Sequence, residues 1–392
     1  MTHGERRMTR ESKRIAVVGP VHPYRGGIAH FTEMTVDVLQ AQGHDVRPVS
    51  FARQYPEMLF PGKTQFEPDS DAPASVAGAP RLLDPANPLA WWRTAQHLRR
   101  MQPDAVVFQY WMPFFAPAFG VVARLLRRAG VPSYSIVHNA LPHERHLGDA
   151  WLSRFFFRAC AGFVVLSDAV ASDLRPLRRA GTPVAQIEHP VYTRFGEPVP
   201  QSEARAALDV PLPPGAPVLL FFGFIRKYKG LDVLLDAMPR IREQVPDLRL
   251  VIAGEAYDDA ARYRNQIQTH GLSERVHWHA RYIPSDAVPR YFGAADLVVQ
   301  PYRSATQSGV AQVAFHFGVP MVLTDVGGLA EMVPHEQAGF VVPPADPDAL
   351  ADAVARYFVE DWKARLTAGV RQQKKRYAPE RLAEALEQVM SA

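Results

Sequence analysis

Residues 15–51 read IAVVGPVHPYRGGIAHFTEMTVDVLQAQGHDVRPVSF, and this stretch decides the fold. Its first five residues form an apolar run with the length and composition typical of a buried strand. Residues 28–42 then carry apolar side chains at helical spacing, a glycine stops the helix, and a second strand begins at Val46. A strand, a helix and another strand in this order predict a βαβ unit and therefore a parallel sheet.

The same alternation continues along the chain with two interruptions. Residues 52–88 are rich in proline, alanine, aspartate and serine, which predicts an irregular surface insertion. Prolines cluster again over residues 188–217, which we interpret as an interdomain linker. We therefore predict an α/β protein with two doubly wound, Rossmann-like domains, residues 14–195 and 196–376, behind a disordered basic tail of residues 1–13. Ligands of such sheets bind at the carboxyl ends of the strands, so we expect the site in the cleft between the domains.

Composition excludes several classes of protein. The chain has 392 residues, of which 47% are hydrophobic and 21% charged, and it has one cysteine, Cys160. A single cysteine excludes a disulfide framework and a multi-cysteine zinc site. The longest apolar run, Met112–Ala123, is shorter than the roughly 20 residues that a spanning helix needs. The polar, basic N terminus lacks the apolar segment of a signal peptide, so we predict a cytoplasmic protein.

Positive charge is concentrated in the first half of the chain. Residues 1–196 carry 23 Lys and Arg against 16 Asp and Glu, a net charge of +7 within a total of +4. Basic and aromatic residues alternate at Trp91–Arg93 and Arg154–Arg158. One interpretation is peripheral contact with the anionic inner face of a membrane, and the other is a set of core helices with solvated arginines. No recognised binding motif accompanies the charge, so we expect no nucleic-acid partner.

Two loops in the first half follow predicted strands. Gly26 and Gly27 open a helix and let its free N–H groups approach an anion, although an ordinary strand-to-helix turn has the same sequence. His138 follows the strand at residues 133–137 and is a candidate to bind a sugar hydroxyl or to fill a structural role. The neighbouring His143, Glu144 and His146 suggest a metal site, but their spacing is not that of H-E-x-x-H, and we predict no metal.

The strongest candidate lies in the second half, at Phe221–Gly230 (FFGFIRKYKG). An apolar strand ends there in a glycine turn that carries Arg226 and Lys229, and a helix follows at once. Arginine, lysine and a helix N-terminus together suit a diphosphate, whereas a solvated basic turn would oppose the helix dipole. Ser308–Gly309 also opens a helix, and its exposed N–H groups provide a second position for phosphate.

The order of these segments resembles that of family 4 glycosyltransferases, which have the GT-B fold. The segments are RGGIAHF, HNALPHE, VLSDAVASDL, FFGFIRKYKGLDVLLDA, VIAGE, PYRSATQSGVAQVAFHFGVP and TDVGGLAE, and the resemblance covers roughly residues 14–391. It implies a retaining, metal-independent transfer of a sugar from a UDP-sugar or GDP-sugar, without a cofactor, to a saccharide or lipid-linked acceptor. It also implies that the first domain binds the acceptor, that the second binds the nucleotide sugar, and that a helix at residues 377–392 crosses back to the first domain.

The resemblance also assigns roles to single residues. His138 would contact the donor sugar near the reacting carbon, while Arg226 and Lys229 would hold the diphosphate and stabilise it as the leaving group. The remaining candidates would surround the donor: Gly26, Gly27, Glu255, Arg281, Tyr282, Gln307, Ser308, Gly309, Val310 and Gln312. Of these, Arg281 and Tyr282 would face the nucleobase.

One departure from the family pattern is clear. Family members usually have two glutamates separated by seven residues, of which the first contacts the donor sugar and the second the ribose. Here those positions hold Ala305 and Val313. Gln307 and Gln312 could substitute as neutral hydrogen-bond partners, and we expect an active transferase.

Two other functions stay open at this point. The loss of both glutamates suggests a non-catalytic protein that binds a nucleotide sugar. A sugar-nucleotide epimerase of the same architecture would need carboxylates in the cleft for proton transfer, and the candidates are Glu144, Glu255 and Glu331.

Overall fold

The computed structural model describes residues 11–55, 64–67, 73–142, 147–192, 195–305 and 308–392. Most of the predicted basic tail therefore lies outside the described residues, as do His143, Glu144, His146 and Gln307. Within the described part of the chain, no helix has both the length and the apolar character needed to cross a bilayer.

The first domain is built on a parallel sheet with seven strands among the described residues. The strands are β1 (Arg14–Val18), β2 (Asp45–Phe51), β3 (Arg81–Leu83), β4 (Ala105–Tyr110), β5 (Ser133–Val137), β6 (Gly162–Val165) and β7 (Val184–Gln186). Their order is β3-β2-β1-β4-β5-β6-β7. From β1 the strands first add on one side of the sheet, as β2 and β3, and then on the other side, as β4 to β7. The crevice between β1 and β4 is the switch point at which ligands of doubly wound sheets bind.

Helices cover both faces of this sheet. They are α1 (Gly27–Ala41), α2 (Pro88–Arg100), α3 (Ala116–Arg128), α4 (Asp149–Phe157) and α5 (Asp168–Leu174). α2 packs on α3 and α3 on α4, so these three form one layer. Because each of these helices returns the chain between parallel strands, its N-terminus lies at the carboxyl end of the sheet, beside the cleft.

The second domain repeats the design with six parallel strands in the described residues. They are β8 (Val218–Phe222), β9 (Arg249–Ala253), β10 (Val276–His279), β11 (Leu297–Gln300), β12 (Met321–Thr324) and β13 (Gly339–Val342), in the order β10-β9-β8-β11-β12-β13. The helices are α6 (Gln201–Ala207), α7 (Leu231–Gln244), α8 (Ala260–Thr269), α9 (Val288–Ala294), α10 (Gly309–Phe317), α11 (Leu329–Met332), α12 (Pro347–Val359) and α13 (Lys363–Lys374). The predicted pair of Rossmann-like domains is therefore confirmed.

The chain ends on the first domain. The last helix, α14 (Glu380–Ser391), packs against α1, β6 and β7. Its Glu387 carboxylate lies 3.1 Å from His44 Nε2. The chain passes between the domains twice, once after β7 and once before α14. The two passages contact each other, because the Tyr377 carbonyl accepts a 2.9 Å hydrogen bond from Val191 N–H.

Candidate active site

A cavity of about 460 Å³ lies between the two sheets, at the carboxyl ends of their strands. From the first domain it is lined by the loop before α1 and by the residue after His138. From the second it is lined by the ends of β8 and β9 and by the N-terminus of α10. The lining includes these residues: Gly26, Gly27, His30, Asn139, Tyr192, Phe222, Gly223, Arg226, Lys229, Glu255, Tyr282, Ile283, Ala305, Ser308, Gly309, Val310 and Val313.

Two cations reach the cavity from the loop after β8. Gly223 has a φ of 94°, which turns the chain sharply out of the strand, and Arg226 and Lys229 follow. Lys229 is buried, and the loss of hydration, followed by the nearby positive charge of Arg226, lowers its pKa to about 7. Two like charges near each other at a buried position leave the site short of negative charge, which a bound anion would supply.

Two helix N-termini face the same space. Gly26 precedes α1 with a φ of 108°, and no side chain caps that helix. α10 begins at Gly309, and the Ser308 hydroxyl caps it by accepting from Ala311 N–H at 3.2 Å. The positive ends of both helix dipoles therefore lie at the cavity together with the cations.

Tyr192 joins these two N-termini, and the sequence prediction missed it. Its hydroxyl donates to the Gly27 carbonyl at 3.3 Å, and a Cβ atom added at Gly309 would lie 3.3 Å from its ring. In the sequence, Tyr192 is one aromatic residue in a proline-rich linker. Nothing in that local pattern indicates that the linker passes between two glycine loops of different domains.

An ion pair joins the two domains beside the cavity. Arg25 Nη2 lies 2.6 Å from Glu255 Oε2, and the two side chains are 4% and 6% exposed. The Arg25 guanidinium also lies 4.6 Å from the centre of the Tyr282 ring and 5.4 Å from that of Phe224. The sequence places Glu255 among the donor-binding candidates but contains no sign that Arg25 would be its partner.

The predicted surface insertion also reaches the second domain. Glu67 accepts a 3.1 Å hydrogen bond from the Tyr282 hydroxyl and a 3.0 Å bond from Ser285 N–H. Its carboxylate is buried by these contacts. The insertion thus supplies a polar contact beside the loop that the resemblance assigns to the nucleobase.

His138 lies just outside the lining of the cavity. Its Nε2 is 2.8 Å from Gln109 Oε1, and its ring packs on Phe31 at 4.6 Å between centres. Burial, followed by the proximity of His189, lowers the pKa of His138 to about 3, so the imidazole is neutral at pH 7. The neighbouring Asn139, which the sequence prediction did not select, is the residue that lines the cavity.

Two other predicted donor contacts, Arg281 and Gln312, do not line the cavity. Arg281 is exposed and is not among the residues that line the cavity. Gln312 is fully buried inside α10, and its amide atoms have no hydrogen-bond partner within the described structure. Gln307 lies outside the described residues. Gln312 is not among the residues that line the cavity, whereas Val313, the next residue of α10, is.

No set of three or more histidine, cysteine, aspartate or glutamate side chains in the described ranges is arranged to hold a metal ion.

Two family models match the chain, one in each domain. A "Glycosyl transferase 4-like domain" covers residues 26–189, and "Glycosyl transferases group 1" covers residues 216–359. The chain belongs to the group 1 glycosyltransferases. The two matches include both glycine loops, the cationic turn and the N-terminus of α10, so this group 1 enzyme carries its candidate site within the regions that define the family.

Curated relatives are similar over part of their length. The lipopolysaccharide core biosynthesis mannosyltransferase LpsB of Rhizobium meliloti (strain 1021) is 29% identical over 262 residues, which cover 64% of this chain and 70% of LpsB. The D-inositol 3-phosphate glycosyltransferase of Jonesia denitrificans is 29% identical over 49% of this chain and 47% of that protein. This group 1 glycosyltransferase thus aligns with about half the length of the second relative.

Solved structures share the fold across nearly the whole chain. Sucrose-phosphate synthase from Thermosynechococcus elongatus superposes with a TM-score of 0.72 at 20% identity, covering 97% of this chain and 98% of that one. HepE from Anabaena, solved in complex with UDP-glucose, superposes with a TM-score of 0.75 at 18% identity, covering 97% and 99%. The group 1 chain therefore has the GT-B fold.

Proposed function

We propose that this chain is a retaining, metal-independent hexosyltransferase that moves a sugar from a nucleoside-diphosphate sugar to a saccharide or lipid-linked acceptor in polysaccharide or glycoconjugate synthesis. One observation carries the proposal. One cavity between the two domains is lined by Arg226, by Lys229 and by the N-termini of α1 and α10. A diphosphate is the ligand whose charge and size suit that set of groups.

The same groups would favour the chemical step. When the glycosidic bond of the donor breaks, negative charge builds up on the leaving diphosphate. Fixed cations and helix N-termini next to that charge stabilise the transition state more than the ground state. Arg226 and Lys229 would supply the positive charge for which other transferases use a divalent cation, and this supports metal independence. The proposal that the transferred sugar retains its anomeric configuration rests on the resemblance to family 4. The anomeric configuration of the product tests it.

The donor is proposed from the neighbours as well as from the cavity. HepE was solved with UDP-glucose, and TarM from S. aureus, which superposes with a TM-score of 0.58, was solved with UDP. A UDP-sugar or GDP-sugar donor with no further cofactor therefore remains the prediction for this chain. LpsB acts in lipopolysaccharide core synthesis by its name, and this supports a saccharide or lipid-linked acceptor.

A release assay tests the transferase proposal. Purified protein is incubated with UDP-sugars, GDP-sugars and ADP-sugars, and the nucleoside diphosphate set free is measured with and without acceptor. We expect release from wild type, and a loss of about a hundredfold or more in the Arg226→Ala, Lys229→Ala double variant, because two groups that stabilise the leaving charge are gone.

Lys227→Ala is the matched control, because Lys227 lies in the same turn but is exposed. The control is expected to keep wild-type activity. Binding of a nucleotide sugar without any release by wild type would favour the non-catalytic alternative. An altered sugar still attached to its nucleotide would favour the epimerase.

We also propose that the first domain touches the inner, cytoplasmic face of an anionic membrane. Trp92 in α2 and Trp151 in α4 are 53% and 71% exposed, and both helices belong to the layer formed with α3. Arg93 and Arg154 accompany them in sequence. Exposed tryptophans with neighbouring arginines suit the headgroup region of an anionic bilayer.

Vesicle sedimentation tests this contact. We expect the protein to sediment with phosphatidylglycerol vesicles more than with phosphatidylcholine vesicles, and less so at high salt, because the attraction is partly electrostatic. The Trp92→Ala, Trp151→Ala double variant would lose most of the binding. Val359→Ala, which changes an exposed apolar residue of the second domain, would keep it. Equal sedimentation of all three proteins would contradict the proposed surface.

A further inference from the structure

A series of buried hydrogen bonds runs behind His138, from α1 through β4 to the imidazole. Gln109, in β4, is fully buried, and its Nε2 lies 2.9 Å from Thr35 Oγ1 of α1. On the other side Gln109 Oε1 lies 2.8 Å from His138 Nε2. The stem of the glutamine fills space that Gly19 leaves free, since a Cβ atom added at Gly19 would lie 2.8 Å from Gln109 Cγ. A buried amide that is bonded at both ends and packed along its stem is held in one place.

The proton of the Thr35 hydroxyl fixes the direction of this series. Thr35 Oγ1–H donates to the Phe31 carbonyl at 2.7 Å, so the same oxygen accepts from Gln109. The amino group of Gln109 therefore faces Thr35, and its carbonyl oxygen faces His138. If the amide were turned round, Thr35 would have to donate to it. Two oxygens, those of Thr35 and the Phe31 carbonyl, would then be left 2.7 Å apart without a hydrogen between them.

The orientation of the amide decides which ring nitrogen of His138 carries the proton. Gln109 Oε1 can only accept, so His138 Nε2 donates, and Nδ1 of the neutral ring keeps its lone pair. No hydrogen bond joins Nδ1 to any of the described residues, and Nδ1 is not one of their fully buried polar atoms without a partner. Nδ1 is therefore an accessible acceptor, one residue from Asn139, which lines the cavity.

The ring of His138 stays uncharged around neutral pH. Burial, followed by the proximity of His189, lowers the pKa of His138 to about 3. His189 follows β7, and burial lowers its own pKa to about 4, so it carries no charge at pH 7. The side chains of α1 and β4 that contact the ring, Phe31 and Gln109, do not titrate. A ligand beside Nδ1 therefore meets a neutral acceptor.

From this arrangement we infer that Gln109 is a positioning residue, which holds His138 in the Nε2–H form so that Nδ1 accepts a hydrogen bond from a hydroxyl of the transferred sugar. The inference rests on the proposed function and deepens it. An acceptor that is fixed in advance needs no reorganisation when the sugar binds. The sugar gains positive charge as its glycosidic bond breaks, and an imidazolium beside it would oppose that change.

Nuclear magnetic resonance tests the protonated nitrogen directly on the wild-type protein. In protein labelled with nitrogen-15 histidine, long-range proton–nitrogen spectra show which ring nitrogen carries the hydrogen, and the His138→Gln variant assigns the signal. We expect the hydrogen of His138 on Nε2, without titration between about pH 6 and 9, because burial favours the neutral ring. A hydrogen on Nδ1 would overturn the inference and leave the transferase proposal standing.

Two variants of Thr35 test whether the hydroxyl orients the amide. Thr35→Val keeps the shape of the side chain but removes the hydroxyl. We expect part of the His138 population to carry its hydrogen on Nδ1 and kcat/KM for the donor to fall about tenfold, as for the loss of one hydrogen bond. Thr35→Ser returns the hydroxyl and is expected to restore the wild-type spectrum and most of kcat/KM. Equal results for the two variants would overturn the role of Thr35.

Gln109→Glu is expected to give a pH profile that a structural role would not produce. A carboxylate accepts from His138 Nε2 as the amide oxygen does, and Nδ1 stays an acceptor. One added proton changes this, whichever group binds it. A carboxyl group would donate to Nε2 and move the ring hydrogen to Nδ1, and an imidazolium carries hydrogen on both nitrogens. The ratio of variant to wild-type kcat/KM is therefore expected to rise with pH.

The ratio cancels the pH dependence that both proteins share, including that of Lys229. Ser135→Ala is the control, because it removes a buried hydroxyl of β5 that bonds to the Phe108 carbonyl, and its ratio is expected to stay constant. A constant ratio for folded Gln109→Glu would overturn the role of Gln109. If that variant does not fold, the wild-type spectrum and the Thr35 pair still decide.

The outcomes separate this inference from the proposed function. If wild type carries the hydrogen on Nε2 but releases no nucleoside diphosphate from any donor, the proposed function fails. The contact between Nδ1 and a sugar hydroxyl then fails with it.

Discussion

Burial of Lys229 disfavours the positive charge of its own ammonium group. The ammonium group is buried beside Arg226, and its pKa falls to about 7. In the free protein near neutral pH, a large fraction of this lysine is therefore deprotonated. A bound diphosphate brings negative charge and favours the protonated form, so binding above pH 7 requires the uptake of a proton.

The affinity for a nucleoside diphosphate is therefore expected to fall as the pH rises above 7. The fall approaches tenfold per pH unit, because one proton must be bound with each ligand. Lys229→Arg is expected to remove most of this dependence, since arginine stays protonated throughout the range. Dissociation constants measured between pH 6.5 and 9 check the prediction, and parallel curves for the two proteins would contradict it.

At the scale of a single element, the turn from β8 into α7 depends on Gly230. Its φ of 69° is in the left-handed region, and a Cβ atom added there would lie 1.9 Å from the Pro301 carbonyl oxygen. This turn carries Arg226 and Lys229. The close approach of two backbone segments thus holds the cationic loop against the end of β11.

We expect Gly230→Ala to lower the free energy of unfolding by more than about 3 kcal/mol, because both backbone strain and a steric clash oppose the new side chain. Gly215→Ala is the matched control. Gly215 also has a positive φ, 76°, but a Cβ atom there meets nothing within 4 Å. Its cost is limited to strain of about 1 kcal/mol. Urea denaturation measures both values, and equal costs would show that the contact with Pro301 is unimportant.

At the scale of the whole molecule, the two lobes are joined across the cleft by Arg25 and Glu255. Both side chains are buried at a 2.6 Å contact, and the aromatic rings of Phe224 and Tyr282 lie close to the guanidinium. A buried ion pair adds little net stability, but the removal of one partner leaves an uncompensated charge. The pair therefore permits the closed arrangement of the domains, because each charge keeps an ionic partner there.

Arg25→Met is expected to open the cleft, because contact with water then lowers the free energy of the Glu255 carboxylate. The expected results are a larger radius of gyration by small-angle scattering without ligand and a higher KM for the donor. Arg240→Met, which removes an exposed pair with Asp352 inside the second domain, is the control and is expected to change neither. An unchanged scattering curve for Arg25→Met would contradict this role.

Local patterns predicted most of the buried strands and missed β3. β1, β4, β5 and β8 are apolar runs whose positions the sequence places within one residue. β3, at Arg81–Leu83, lies inside the segment that the composition predicts to be irregular, and its three residues are too few to show an alternating pattern. α12 and α13 are separate helices, because Asp361 takes a φ of 50° between them.

Apolar periodicity and the order of glycine, arginine and lysine are local properties, so the amino-acid sequence alone predicts the two parallel sheets and the cationic turn. Which groups share the cavity depends on how the two domains pack. Arg25 and Glu255 are 230 residues apart, and Tyr192 lies between glycines of different domains. The burial of a charge or a hydroxyl depends on what the other lobe places against it, and no local pattern carries that information.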